Sequence, residues 1–230
     1  RYRGFNELKI EGSEIIRNLK DSNVLFISNH QTYFADVVAM FHVFNASLKG
    51  RVDSIKNISY LWNPKLNIYF IAAKETMNAG LIPKILAYAG SVSIERTWRS
   101  NGEDVNRKVK FSDISNIGKA LNDGWVITFP QGTITPFKPV RKGTAYLIKK
   151  FKPVVVPIVI DGFRRSFDKK GLRVKKKNIL QTMIIKDPIE IDYENESTEQ
   201  IIEKIAYSIE QHEKFLKVVP QNELNGEREL

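Results

Sequence analysis

The sequence predicts an α/β fold in which helices flank a central, mostly parallel β-sheet. Short runs rich in β-branched and aromatic residues alternate with stretches of helical periodicity along the 230-residue chain. In addition, the runs at 24–28, 125–129 and 154–160 lack polar alternation. Both faces of these three strands are therefore expected to be covered, as in a parallel sheet between two layers of helices.

Six stretches have the length and composition of strands. In chain order they are Val24–Ser28, Tyr69–Ala72, Ser91–Glu95, Trp125–Phe129, Val154–Ile160 and Thr182–Ile185. A helix is predicted before the fourth strand, with Ser112 or Asp113 as its N-cap and Gly124 at its end. A last helix, expected at about 198–217, is indicated by Ser197 and Gln200, which have the spacing of a capping box.

The composition favours one domain, residues 1–230, and excludes several kinds of site. Apolar residues make up 42% of the chain, enough for a sizeable core, and no linker or repeat interrupts it. The absence of cysteine excludes disulfides, thiol nucleophiles and cysteine metal sites, and only three histidines are present. We therefore expect no metal, and no apolar run approaches the roughly 20 residues of a membrane span.

The net charge of +10 is unevenly distributed. Eight basic residues lie within the 14-residue segment 164–177, opposed only by Asp168. Such a segment attracts phosphate groups, whether on nucleic acid, anionic lipid, coenzyme A or an acidic carrier protein. It is also compatible with a solvated loop that contributes only solubility.

The stretch ISNHQTYFADVV places an imidazole, His30, and a carboxylate, Asp36, directly after a buried strand. Open α/β sheets bind their ligands at this end of their strands, and such a pair can act as a general base and its orienting group. In an unbroken helix, however, six positions turn through about 600°, which separates the two side chains. They can meet only if a turn or bulge precedes the helix, and the pair alone is equally compatible with a structural histidine.

Two further stretches combine a strand end with groups that suit an anionic ligand. AGSVSIER places Arg96 just past a short strand, where its guanidinium can hold a phosphate or merely cap a helix. FPQGTITPF leads from a strand into the tight loop Gln131-Gly132-Thr133, whose N–H groups could approach a phosphate or a thioester oxyanion. Arg141 and Lys142 then lie near the start of the next helix.

Taken in order, these segments resemble the motifs of the glycerolipid acyltransferase family, which includes 1-acyl-glycerol-3-phosphate and glycerol-3-phosphate acyltransferases. The matching segments are Asn29-His30 with Asp36, Gly90–Ile94 with Arg96, Phe129–Thr133 and Val156–Val159. The resemblance covers about Val24 to Gly162, a motif-bearing core of 24–162. Four motifs in the family's order are much more specific than any one of them.

The resemblance implies a role for each motif. His30 would remove a proton from an acceptor hydroxyl, which attacks an acyl thioester on coenzyme A or acyl carrier protein (acyl-CoA or acyl-ACP). Asp36 would orient the imidazole, and Arg96 with the loop 131–133 would hold the acceptor. No cofactor is expected beyond the acyl donor, which is a co-substrate.

The sequence departs from the family's pattern in three places. Five residues separate His30 from Asp36, where the family usually has four, so either a bulge absorbs one residue or Asp36 is not the partner. Gln131 replaces the usual glutamate, which leaves hydrogen bonding but removes a charge. Ile134 stands where the family often has an arginine for the acceptor's phosphate. Arg96, Arg141 or Lys142 could replace that arginine.

These features predict a membrane-lipid O-acyltransferase of phospholipid biosynthesis whose acceptor is a lyso-lipid, first of all 1-acyl-glycerol-3-phosphate. A phosphate-free lyso-aminolipid is the alternative acceptor. A basic nucleic-acid-binding domain explains the charge but leaves the motifs unused, so no nucleic-acid partner is expected. The predicted place of action is an anionic membrane surface on the cytoplasmic side. The protein would be peripheral there, or anchored by a segment outside this chain. Aromatic and apolar residues between Tyr60 and Phe70 could insert shallowly or pack in the core, and the core is the preferred prediction for Ile68 and Phe70.

Overall fold

The computed structural model describes residues 6–73, 91–94, 99–100, 103–104, 111–220 and 223. Its main feature is a seven-stranded sheet. The strands, in chain order, are β1 (Glu7–Glu11), β2 (Val24–Ser28), β3 (Ile68–Ala73), β4 (Ser91–Ile94), β7 (Trp125–Thr128), β8 (Val154–Asp161) and β9 (Leu180–Ile185). Two short strands, β5 (Arg99–Ser100) and β6 (Glu103–Asp104), pair separately.

The order of strands across the large sheet is β1-β9-β8-β2-β7-β3-β4. All neighbouring strands are parallel except β8 and β9, so β1 and β9 run against the other five. The predicted α/β class and mostly parallel sheet are confirmed. The strand prediction omitted β1 and the short β5–β6 pair, because a polar five-residue edge strand such as ELKIE carries little apolar signal.

Five α-helices lie in the described part of the chain: α1 (Ala35–Leu48), α2 (Phe111–Asp123), α3 (Lys142–Phe151), α4 (Phe163–Ser166) and α5 (Thr198–Ser208). Three short 3-10 helices accompany them, at Ser13–Asn18, Ile58–Trp62 and Glu213–Phe215. The capping box of α5 is present, with Ser197 and Gln200 in their expected roles. The predicted end of this helix at about residue 217 is wrong. The helix ends at Ser208 because Glu210 takes a left-handed conformation, and Gln211 N–H then bonds back to the Ala206 carbonyl.

Helix α2 begins at Phe111, before the two residues expected to cap it, and ends at Asp123, directly before Gly124 as predicted. Its N-terminal boundary was missed because capping residues also occur inside the first turn of helices, so their presence places a helix start only to within a few residues.

Two apolar cores lie on opposite faces of the sheet, which explains why β2 is buried along its whole length. Phe26 packs with α1 residues such as Phe44 in the first core. Leu25 and Ile27 point into the second core, with residues of α2, α3 and α5. The two layers of helices therefore cover both faces of the central strands and leave the carboxyl ends of these strands for a site.

The carboxyl ends of β2, β7 and β8 lie side by side, because β2 pairs in parallel with both of the others. The residues that follow these strands therefore meet at the carboxyl end of the central strands. They are His30 after β2, Phe129–Thr133 after β7, and Gly162–Arg164 after β8.

The aromatic segment 60–70 packs partly into the core, as expected for Ile68 and Phe70. Tyr60, Ile68 and Phe70 are buried, and Trp62 is the aromatic residue of this segment that is largely exposed. The residues before β3 also lie at the opposite end of the strands from His30. The Asn67 carbonyl accepts the N–H of Trp125, the first residue of β7, whereas His30 follows the last residue of β2. Within the described part of the chain, none of the helices has the length and apolar composition of a membrane span.

Candidate active site

His30 and Asp36 are in direct contact. Nδ1 of His30 lies 2.9 Å from Oδ2 of Asp36. The aspartate side chain is fully buried, whereas the histidine side chain is 13% exposed and thus reaches the protein surface. A buried carboxylate behind a partly accessible imidazole is the arrangement that a general base requires.

The turn before α1 resolves the problem of the five intervening residues. Residues 31–34 form a bend rather than a helical turn, and α1 begins only at Ala35. Asp36 therefore lies in the first turn of the helix and points back along the chain toward His30. Its Oδ2 accepts the main-chain N–H groups of Gln31 at 2.7 Å and Thr32 at 3.0 Å. Its Oδ1 accepts the Thr32 hydroxyl at 2.7 Å.

These contacts determine which nitrogen of His30 carries the proton. A carboxylate only accepts hydrogen bonds, so Nδ1 of His30 must be the donor in the contact with Asp36. Nε2 is then the basic nitrogen of the neutral ring, and no described residue hydrogen-bonds it. The site therefore presents a lone pair to a proton donor from outside the protein.

Phe129 holds the plane of the imidazole. The rings of His30 and Phe129 are stacked, with centroids 3.8 Å apart and an angle of 16° between the planes. Phe129 is the first residue of the Phe-Pro-Gln-Gly-Thr motif, and the motif by itself predicts no role for its side chain. Its function depends on the pairing of β2 with β7, which the sequence does not show.

Asn29, next to His30, ties β2 to β8 beyond the last ladder residue. Its side-chain amide donates to the Ile160 carbonyl and accepts from the Ile160 N–H, both at 2.8 Å. The amide thus imitates a strand residue and continues the sheet by one pair. This explains why an asparagine precedes the histidine: it fixes the backbone from which the imidazole projects.

The loop after β7 is a tight turn braced by Arg141. Gly132 has φ of +65°, and its N–H donates to the Phe129 carbonyl at 2.9 Å. Nε of Arg141 donates to the Gln131 carbonyl at 2.7 Å and lies 2.5 Å from the position that a Cβ on Gly132 would take. Arg141 is therefore a brace for the loop. Thr133 is part of the same turn, where its hydroxyl accepts the Thr135 N–H at 3.1 Å.

Gln131 is buried and uses both of its amide hydrogens inside the protein. Nε2 donates to the Lys138 carbonyl at 2.7 Å and to Oε1 of Gln211 at 3.2 Å. The orientation of the amide is unambiguous, because the Lys138 carbonyl can only accept, and Oε1 of Gln211 already accepts the N–H of Phe137. Hydrogen-bond donation to a substrate, expected from the motif, is therefore not available to Gln131.

The two acceptors around Gln131 predict that the family's usual glutamate will not fit here. We expect Gln131→Glu to lower the free energy of unfolding by about 2 kcal/mol, since the new carboxylate faces two oxygens and can donate to neither. Urea unfolding at neutral pH measures this change. Gln200→Glu is the matched control, because the Gln200 side chain accepts the Ser197 N–H, which a glutamate does equally well. Equal stability of both variants would contradict the assignment.

Arg164 is a site residue that sequence reasoning missed. It was grouped with the basic segment 164–177, but it is only 6% exposed. Its guanidinium donates to the Ile134 carbonyl at 2.6 Å and lies 3.5 Å from the His30 carbonyl, and its N–H donates to Oε1 of Gln31 at 3.1 Å. The buried guanidinium of Arg164 thus joins the loop that carries His30 to the loop after β7. In the second loop it bonds to the carbonyl of Ile134, the residue that stands where the family often has an arginine.

Gln31 links the same turn to the end of β8. Its amide nitrogen lies 3.2 Å from both the Ile160 carbonyl and Oδ1 of Asp161. Burial alone would raise the pKa of Asp161, but hydrogen bonds from Gln31 and Arg165 outweigh it and hold this pKa below its ordinary value. Asp161 is therefore a carboxylate at neutral pH and offsets the charge of Arg165, 3.0 Å away.

Lys142 and Arg96 are the other two substrate-binding residues expected from the sequence. Lys142 is exposed, and its ammonium group forms a surface ion pair with Glu199 at 3.3 Å. Arg96 lies outside the described residues, as does Gly90 of the same motif. Of the residues proposed from the sequence, the structure thus brings His30, Asp36, the loop 131–133 and Arg141 together.

Comparisons with known proteins agree with this fold. The acyltransferase family matches residues 7–161 of the chain. Among solved structures, the 1-acyl-sn-glycerophosphate (LPA) acyltransferase PlsC from Thermotoga maritima is similar, with a TM-score of 0.52 and 19% sequence identity. The match covers 89% of this chain and 69% of PlsC. Among curated proteins, no sequence is significantly similar to this chain.

The fold and the family match define this protein as an acyl-transferring enzyme. The chain belongs to the acyltransferase family, which confirms the assignment made from the four motifs.

Proposed function

We propose that this protein transfers a fatty acyl group from acyl-CoA or acyl-ACP to the hydroxyl of a lyso-lipid in phospholipid biosynthesis. The observation that carries the proposal is the contact between Nδ1 of His30 and Asp36, which leaves Nε2 available beside the loop after β7. A general base for a hydroxyl is what this reaction needs, since thioesters are already reactive acyl donors.

The proposed step conserves atoms and charge. Nε2 of His30 takes the proton of the acceptor hydroxyl as the oxygen attacks the thioester carbonyl, and the Asp36 carboxylate stabilises the resulting imidazolium. When the tetrahedral intermediate collapses, the carbon–sulfur bond breaks. The imidazolium then returns the proton to the leaving thiolate, which restores the neutral ring and releases free thiol and an ester.

The acceptor we propose first is 1-acyl-glycerol-3-phosphate, and one observation favours a phosphate-free lyso-aminolipid as a second candidate. Ile134 replaces the expected arginine and is buried. The guanidinium of Arg164, although nearby, is bonded to the Ile134 carbonyl. A phosphate would therefore depend on other cations, whereas an acceptor without phosphate would not need them.

An acyl-transfer assay over a panel of acceptors distinguishes these candidates. Purified protein is supplied with acyl-CoA or acyl-ACP, and thiol release is followed with lysophosphatidic acid, with hydroxyl-bearing aminolipids and without acceptor. Efficient acylation of lysophosphatidic acid alone supports the first candidate, and acylation of aminolipids alone supports the second. Thiol release that needs no acceptor would indicate a hydrolase and would overturn the proposal.

We further propose that an anionic membrane surface on the cytoplasmic side is the second partner, and that the protein meets it through the basic segment. Exposed cations of this segment form what we call the basic surface: Lys170, Arg173, Lys175, Lys176 and Lys177. The carbonyl of the neighbouring Lys169 accepts the N–H of Tyr33, three residues from His30. A membrane bound there would lie beside the site, so a lipid acceptor would have a short path to the imidazole.

Removing charge from the basic surface should weaken binding to anionic vesicles. We expect the triple variant Lys170→Gln, Arg173→Gln, Lys176→Gln to bind vesicles containing phosphatidylserine about 100-fold more weakly, since each cation near such a surface contributes about 1 kcal/mol. Flotation or sedimentation at two salt concentrations measures this. The wild-type protein should lose binding as salt rises, because salt screens the attraction.

A second triple variant controls for total charge. The variant Lys49→Gln, Lys56→Gln, Lys119→Gln lowers the net charge of +10 by the same three units, at exposed positions outside the basic surface. This variant should bind vesicles like the wild type. If both triple variants lose affinity equally, net charge and not the basic surface is responsible. Unchanged binding in both would remove the membrane proposal and leave the acyl-transfer proposal standing.

A further inference from the structure

The turn between His30 and Asp36 depends on a distant part of the chain for acceptors of two of its four main-chain N–H groups. The main-chain N–H groups of residues 31–34 donate to no carbonyl of a helix or strand. Asp36 accepts the first two. The carbonyls of Lys169 and Lys170 accept the N–H groups of Tyr33 and Phe34, both at 3.1 Å. Buried N–H groups need acceptors, so this turn cannot be stable on its own.

The segment that supplies these carbonyls is a small hairpin, residues 167–174. Phe167 and Val174 pair across it, and Asp168 N–H donates to the Arg173 carbonyl at 3.0 Å. Oδ1 of Asp168 accepts the N–H groups of Leu172 at 2.8 Å and Arg173 at 2.9 Å, which closes the tip. Buried Phe167 anchors the hairpin in the first apolar core. The two carbonyls are therefore held in place before they meet the turn.

Gly171 allows the hairpin to approach the turn so closely. Its φ is +73°, and a Cβ at this position would lie 2.6 Å from the Ala35 nitrogen and 2.8 Å from Oγ1 of Thr32. These are atoms of the turn that holds Asp36, and Oγ1 of Thr32 itself donates to Oδ1 of Asp36. Any side chain at 171 would therefore push on the Asp36 end of the catalytic pair.

We propose that the 167–174 hairpin is a positioning element for His30 and Asp36. By accepting the N–H groups of Tyr33 and Phe34, it stabilises the bend that absorbs the fifth intervening residue, and so it keeps the imidazole and the carboxylate in contact. The hairpin acts on the pair through its main chain and through Gly171. Its effect on rate rests on the proposed acyl transfer, whereas its effect on the His30–Asp36 contact does not.

Gly171→Ala tests this role. We expect kcat to fall between about 10-fold and 100-fold, as for other small displacements of a catalytic group, with the KM of the acceptor unchanged. We also expect the low-field proton signal of His30 Nδ1–H to shift or vanish. The signal can be assigned with His30→Ala, since the chain has only three histidines. The ring-carbon proton signals of His42, whose Nδ1 lies 2.9 Å from the Tyr60 hydroxyl, should not change.

Gly50→Ala is the matched control for backbone strain. Gly50 also has positive φ, +82°, but an added Cβ would meet nothing within 4 Å. Gly50→Ala should lose only the thermal stability that the strained backbone costs, and it should keep the wild-type kcat and His30 signal, whereas Gly171→Ala should lose more stability because its Cβ also meets the turn. A folded Gly171→Ala protein whose kcat and His30 signal match those of Gly50→Ala would overturn the proposal.

A pair of substitutions at Asp168 tests the hairpin without placing an atom against the turn. Asp168→Ala removes the acceptor for two N–H groups and should alter the His30 signal, whereas Asp168→Asn keeps an oxygen at this position and should restore it. If Gly171→Ala does not fold, this pair decides: an unchanged signal in Asp168→Ala overturns the proposal. If Asp168→Ala changes the His30 signal while the wild-type protein shows no acyl transfer, the role of the hairpin is upheld and the proposed function is refuted.

Discussion

Replacing His30 with alanine is expected to lower the rate of acyl transfer by between about 10²-fold and 10⁴-fold, which is the usual contribution of a general base. The reduction should appear in kcat, because the imidazole removes a proton during the chemical step and contributes little to binding. Steady-state kinetics with saturating acyl donor measures it. Stability should change less than in a variant that removes Asp36, since the Asp36 carboxylate keeps its three other hydrogen bonds, from the Gln31 N–H, the Thr32 N–H and the Thr32 hydroxyl.

The protein offers a matched control in a second histidine–carboxylate pair. Nε2 of His212 lies 2.8 Å from Oε1 of Glu203, at the surface near the end of α5. His212→Ala removes the same kind of contact and should leave kcat unchanged. If His30→Ala retains wild-type kcat, or if the two variants lose activity equally, the role assigned to His30 is wrong.

Replacing Asp36 with alanine is expected to damage both activity and stability. The carboxylate is fully buried and accepts from two N–H groups, one hydroxyl and the imidazole of His30. Removing it leaves these donors without an acceptor, so we expect the free energy of unfolding to fall by about 3 kcal/mol. We also expect kcat to fall at least about 100-fold, because the ring loses its orientation and the stabilisation of its cation.

Urea unfolding and kinetics on the same Asp36→Ala preparation separate the two effects. Asp192→Ala is the control, because Oδ1 of Asp192 also accepts two main-chain N–H groups, those of Glu194 and Asn195, but in an exposed turn. This control should lose a smaller amount of stability and no activity. An Asp36→Ala protein that is as stable and active as the wild type would show that the turn does not depend on the carboxylate.

The aromatic and apolar residues between Tyr60 and Phe70 are divided between core and surface, and the reason is geometric. A run such as YLWNPKLNIYF is rich in side chains that suit an interface, but Tyr60, Ile68 and Phe70 are used to pack the core. Sequence composition does not show which end of a sheet a segment joins. The basic surface, by contrast, adjoins the turn of the catalytic pair, because its hairpin supplies acceptors for Tyr33 and Phe34.

The difference between Gln131 and the family's glutamate is likewise explained by partners that are remote in sequence. The motif places residue 131 in a loop after a strand, and this is correct. Its environment is set by Lys138 and by Gln211, which lies 80 positions further along the chain. A glutamine at this position therefore serves the loop, and the substitution does not indicate a weakened catalytic group.

The sequence by itself determined the α/β class, the strands that form the centre of the sheet and the family. These follow from local signals: unbroken apolar runs, capping residues and four short motifs in order. It also identified His30 and Asp36 as candidates, because a motif names residue types at fixed spacing.

Tertiary structure alone decided whether His30 and Asp36 meet. The extra residue between them is tolerated because a hairpin more than 130 positions away completes the hydrogen bonds of their turn. The roles of Phe129 and Arg164 were decided in the same way, by strands that become neighbours only when the sheet forms. Spacing along a chain constrains only nearby atoms, whereas hydrogen-bond partners and burial depend on which distant segments pack together.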